Sequence, residues 1–220
     1  MNGSSTASGI TVTGTGSASG TPDLLTFSLA VETTAADLAE AYRRTADAAG
    51  WLLAALHREG LAGGDTATSG IRLRPETVWH EGGRQETTGY TASADFAVTV
   101  RVLEQASGVL EAAVAAAGDA LRVGGISYGF SDPASLAAAA REAAWRDARG
   151  KAGQLAGLAG RALGAVVRIE EAAGGAPVPL HAVREAALPA GAMPVAPGPA
   201  EVPARLTVTW AWGPDRADGP

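Results

Sequence analysis

From Tyr90 to Val102 the chain alternates without a break. Tyr90, Ala92, Ala94, Phe96, Val98, Val100 and Val102 face one way, and Thr91, Ser93, Asp95, Thr99 and Arg101 face the other. Successive side chains of an extended backbone point to opposite faces, so this pattern describes a strand with one apolar and one polar side. A single strand cannot bury that apolar side alone, and the chain must therefore build a sheet and cover it. The run before it, about 67–80, is joined to it through Glu81-Gly82-Gly83-Arg84, which reads as the tip of a hairpin.

The same test applied along the chain gives an order of elements. Near the start, Ile10, Val12, Gly14 and Gly16 share one face and Thr11, Thr13 and Thr15 the other. After Gly20-Thr21-Pro22-Asp23, Leu25, Phe27, Leu29 and Val31 alternate in turn, and the two runs read as a second hairpin. The period then changes to that of a helix over about 35–59, where Leu38, Tyr42, Ala49, Leu52, Leu53 and Leu56 recur, with Thr34 and Asp37 at its start and Gly60 at its end. A shorter Ala-rich helix is expected at about 103–117 and a strand at 122–130. Ser131-Asp132-Pro133 opens a long helix running to about Arg161 and closed by Gly164; Gly150, Gly153, Gly157 and Gly160 weaken it, so it needs packing partners. Strands at about 163–171 and 202–212 follow, the last with Leu206, Val208, Trp210 and Trp212 on one face.

Residues 174–200 are rich in Pro, Ala and Gly without periodicity and read as a mobile loop. The expected order is ββα-ββα-βα-β-loop-β. This is an α+β fold with a mostly antiparallel sheet and helices packed on one face. Residues 9–212 are expected to form one domain between tails at 1–8 and 213–220.

Composition narrows the functions open to such a domain. The 220 residues carry a formal charge of -6 and show no basic face, so no nucleic-acid partner is expected. There is no Cys, which removes disulfides, thiolate metal sites and cysteine nucleophiles. No run approaches the roughly 18 to 20 uncharged apolar residues of a membrane span. Met1 to Ser8 show neither a basic nor an apolar leader segment, which as written predicts a cytoplasmic protein, or a periplasmic one if the N-terminus was trimmed.

Several segments together resemble one known family. They are Ile10-Thr11-Val12-Thr13-Gly14-Thr15-Gly16 with Pro22-Asp23, Gly89-Tyr90-Thr91-Ala92-Ser93, and Gly125-Ile126-Ser127 before Ser131-Asp132. Ala140-Arg141-Glu142-Ala143-Ala144, Ala148-Arg149-Gly150-Lys151-Ala152, Leu155-Ala156, Leu163-Gly164, Ile169-Glu170-Glu171 and Pro197-Gly198 complete the set. In this colinear order the chain is similar to the SIMPL-domain family from about residue 9 to 212. The resemblance implies a self-assembling domain without established enzymatic activity, a domain of unknown function whose bacterial members are in many cases exported and in some linked to stress tolerance.

Gly125-Ile126-Ser127-Tyr128-Gly129 has the G-x-S-x-G spacing of a nucleophile elbow, and Asp147 and His181 follow in hydrolase order. The elbow needs a strand-to-helix turn, whereas Ser127 lies in an alternating strand, so a serine hydrolase using Ser127 and His181 is the minor reading. Gly14 to Gly20 miss the spacing of a phosphate cradle, and His57, His80 and His181 lack the spacing of a metal site. No catalytic, cofactor-binding or metal residue is assigned. Glu170 and Glu171, adjacent on a strand, face opposite ways. Trp79, His80 and Arg84 at the hairpin tip form the candidate interaction surface; Trp79 either anchors a partner or packs under its own hairpin. The expected function is non-enzymatic, through homo-oligomeric assembly and binding of a protein partner, stress- or envelope-related. Carriage of a small apolar ligand between helices and sheet is the alternative.

Overall fold

The computed structural model describes residues 9–172, 178–179 and 198–215. The element order is β1 (Gly9–Gly20), β2 (Leu24–Ala35), α1 (Leu38–Arg58), β3 (Thr66–Trp79), β4 (Gln85–Val100), α2 (Ala106–Ala117), β5 (Leu121–Gly129), α3 (Pro133–Leu158), β6 (Arg161–Glu171), β7 (Val178–Pro179) and β8 (Ala200–Asp215). This is the α+β order read from periodicity, and every strand pairing is antiparallel. The strands form two sheets, and the described residues group into two compact units.

One unit, residues 22–131, holds the sheet β3-β4-β2-β5. The alternation of β2 and β4 puts Leu25, Phe27, Leu29 and Val31 beside Phe96, Val98 and Val100, all buried, and α1 and α2 close over them with Leu52, Leu56 and Val109. Each such side chain contributes about 1.5–3 kcal/mol when fully buried. Asp37 caps α1 by accepting from the Glu40 backbone N–H at 2.8 Å, three residues later than the Thr34 start expected. Thr34 belongs to β2, where its hydroxyl meets that of Thr91. At the other end Gly60 adopts φ 87, the left-handed conformation that stops a helix.

The second unit comprises residues 9–21, 132–172, 178–179 and 198–215 and holds the sheet β1-β8-β6, with β7 also against β8. Helix α3 opens where Asp132 accepts from the Ser135 N–H at 3.1 Å and Pro133 takes the first helical position. It packs on the sheet through Ala140, Ala144, Ala148, Ala152 and Ala156, each at most 1% exposed. This four-residue stripe sits directly on β1: a Cβ at Gly14 would lie 2.1 Å from the Ala144 carbonyl oxygen, and one at Gly16 2.2 Å from the Ala144 nitrogen. Val12, Leu206, Val208 and Trp210 complete this core.

The expected hairpin between the first two strands does not form. β1 pairs with β8, from Gly9 opposite Ala211 to Gly20 opposite Ala200, while β2 lies between β4 and β5 in the other sheet. The two strands bury different surfaces: β1 offers glycines that admit a helix backbone, and β2 offers large side chains. Helix α3 ends at Leu158 with Gly160 at φ 68, so Gly160 is the stop and not Gly164. Gly164 lies in β6, where a Cβ would come within 2.7 Å of the Ala211 carbonyl oxygen. Most of the segment expected to be a mobile loop, 174–200, lies outside the described residues; Val178 and Pro179 pair with Glu201 and Ala200.

Candidate functional site

The hairpin of β3 and β4 runs outward from the sheet to a tip held by backbone bonds. His80 N–H donates to the Arg84 carbonyl at 2.9 Å and Gly83 N–H to the His80 carbonyl at 3.2 Å. Gly82 and Gly83 take φ 88 and 79, values that a residue with a Cβ rarely adopts. On this frame Trp79, the last residue of β3, stands 68% exposed, and Val78 beside it is also exposed. Trp79 does not pack under its own hairpin. Glu86 gathers the two basic neighbours: its Oε2 lies 3.0 Å from His80 Nε2 and 3.6 Å from Arg84 Nη2. The tip thus brings His80 and Arg84 around one carboxylate, with Trp79 exposed beside them in the chain.

β3 is also an edge strand, paired only with β4 among the described residues. Its polar face carries ion pairs, Arg72 with Asp95 at 2.9 Å and Arg74 with Glu32 at 3.7 Å. Its other face carries Ile71 and Leu73, both exposed, and with the flank of α1 at Tyr42 and Leu53 these residues border a cleft of about 330 Å3. The sequence leaves carriage of an apolar ligand between helices and sheet as the alternative but assigns no residue to this cleft. The signal was present in an apolar stripe on α1 wider than its buried face, since Leu38, Tyr42 and Leu53 belong to the stripe yet are exposed.

The remaining candidates fall apart in space or lie outside the described residues. Ser127 sits within β5, two residues before its end and not on the turn that leads into α3, paired with Thr26 and with its hydroxyl 3.5 Å from the Thr26 carbonyl. Asp147 is on α3, where its carboxylate accepts from Lys151 Nζ at 2.6 Å and from the Thr15 N–H at 2.8 Å. The Lys151 hydrogen bond first, and the Thr15 N–H second, hold its carboxyl below the usual carboxylate range. His181 lies outside the described residues. His57 occupies the last turn of α1, where the helix dipole favours a cation. No three His, Cys, Asp or Glu side chains gather as a metal site among the described residues. Glu171 pairs with Arg141 at 2.6 Å and Glu170 with Arg168, so the adjacent carboxylates serve separate partners. Trp210 is buried against Trp145, with ring centroids 5.8 Å apart, whereas Trp212 is only partly buried and lies under the Arg161 guanidinium.

Comparison with known proteins covers nearly the whole fold. The profile of the SIMPL family, described as proteins of unknown function (DUF541), matches residues 10–210. The 26 kDa periplasmic immunogenic protein of Brucella melitensis is 30% identical over 199 residues, 86% of this chain and 78% of that protein. The uncharacterised protein YggE of Escherichia coli K12 is 28% identical over 160 residues, 73% of this chain and 64% of that protein. The expectation of a cytoplasmic location is corrected here, because the Brucella relatives are named as periplasmic proteins. No described helix is long and apolar enough to cross a membrane.

Proposed function

This chain belongs to the SIMPL family, and we propose that it is a periplasmic, non-enzymatic module that works through assembly with copies of itself and through protein binding. The observation that carries this reading is Trp79, 68% exposed at the end of an edge strand whose outer side pairs with no strand among the described residues. An exposed indole is costly to leave in water and is a frequent anchor where two proteins meet. The open edge of β3 supplies the second element of an interface, a row of backbone donors and acceptors that another strand can extend. A second copy of the same hairpin satisfies both, because an antiparallel pairing of like edges is self-complementary.

His80 and Arg84 add polarity at the rim, where charge steers partners more than it strengthens their grip. The periplasmic setting is carried over from the Brucella relatives. The experiment is to compare Trp79→Ser with the parent chain by size-exclusion chromatography at micromolar concentration. The parent is expected to elute as a multimer and the variant to shift toward the 21.9 kDa chain. An unshifted Trp79→Ser multimer sinks the role of the tip.

A further inference from the structure

Helix α1 lies over β4 and β2 and meets β3 only along its flank, so the helix layer stops one strand short of the sheet edge. The cleft of about 330 Å3 left there is bounded by Tyr42 and Gly50 on the helix and Ile71 and Leu73 on β3, and it is floored by Ala92, Ala94 and Phe96 on β4. From this geometry we infer that the cleft is a binding site for a neutral, mainly apolar small molecule carrying one hydrogen-bonding group.

Size decides against a macromolecular occupant. A protein interface of ordinary stability covers about 800 Å2 on each partner, whereas small-molecule sites begin near 300 Å3 and are lined by apolar groups with a few polar ones. The lining decides the charge. No charged side chain lines the cleft, and on the opposite face the arginines of β3 pair with carboxylates of β4 and β2, Arg72 with Asp95 and Arg74 with Glu32. A charged ligand would be desolvated here without a counter-ion. Tyr42, 55% exposed on the helix side, supplies a hydroxyl to the cleft, and the Thr45 hydroxyl beside it already donates to the Ala92 carbonyl at 3.0 Å.

Gly50 lines the cleft from the helix side. It sits in the interior of α1, where glycine weakens a helix relative to alanine. Packing does not require it, since a Cβ built there meets nothing within 4 Å, and its φ is not in the left-handed region. What the missing side chain does is keep the helix wall of the cleft open to an occupant.

The test uses the full chain and N-phenyl-naphthylamine, an uncharged fluorophore, titrated at fixed protein concentration. Binding is expected to saturate at one site per chain. Gly50→Leu, which fills the cleft from the helix side, is expected to weaken binding at least about ten-fold while thermal unfolding stays at or above that of the parent. Leu73→Ser, a second variant on the opposite wall, is expected to weaken it in the same direction. Unsaturable binding, or parent-like binding in Gly50→Leu, overturns the site. Mass by light scattering separates it from the assembly reading: an unchanged multimer in Gly50→Leu supports a small-molecule site. Loss of both dye and multimer means the cleft is a contact between copies and overturns the inference.

Discussion

Gly14 and Gly16 are the residues on which the β1 and α3 packing turns. Their missing side chains let the backbone of α3 rest on the strand, with any Cβ driven to about 2 Å from helix atoms. Overpacking of this kind costs typically 1–3 kcal/mol and occasionally more, and here the obstacle is backbone that cannot swing aside. Gly14→Ala is therefore expected to lower stability by about 3 kcal/mol in denaturant unfolding; a loss under about 0.5 kcal/mol would show that the helix is not seated on β1. Asp23 works differently. Its carboxylate accepts from the Ser131 N–H at 2.7 Å and from the Ser131 hydroxyl, and the hydroxyl bond first and the N–H bond second hold its carboxyl below the ordinary value. Because the folded state favours the ionised form, the stabilisation is complete above about pH 4 and disappears as pH falls through the folded-state value. The stability gap between the parent and Asp23→Ala should accordingly be widest at neutral pH and narrow in acid, as read by urea titrations at the two pH values. A gap that widens in acid would contradict the assignment. The sequence showed both Gly14 and Asp23 as members of a strand and a turn. It could not show their partners, which lie more than a hundred residues away at Ala144 and Ser131.

Most elements were legible because each rests on local physics. Alternation gave β2, β4 and β8, and Asp132-Pro133 gave the start of α3, whereas its stop is Gly160 and not the expected Gly164. The pairing of β1 was not legible. A run ending in Gly-Thr-Pro-Asp looks the same whether the next strand turns back on it or passes to another sheet, and the register with β8 depends on residues nearly two hundred positions on. The glycines of α3 imply a helix that needs packing partners; the stripe that packs is alanine, and at Gly150, Gly153 and Gly157 an added Cβ meets nothing within 4 Å. Gly153→Ala is expected to raise stability by about 0.5–1 kcal/mol, since alanine fits the helix and restricts the unfolded chain. A loss of stability together with a smaller assembly would show that the glycine face of α3 is a contact between copies.

At the scale of the whole molecule, two sheet-and-helix units leave an edge strand with an exposed tryptophan and an uncovered apolar cleft. The hairpin tip was readable, because Trp79, His80 and Arg84 flank Gly82 and Gly83 in the sequence itself. The cleft was not, because its walls come from α1, β3 and β4, and nothing in their order says that the helix layer ends one strand early. Both features suit a protein that acts by what it binds. The most direct test of that account is the absolute mass of the full chain in solution, by light scattering at micromolar concentration. Assembly through the β3 edge predicts a discrete multiple of 21.9 kDa, and a mass equal to the single chain across that range would contradict it.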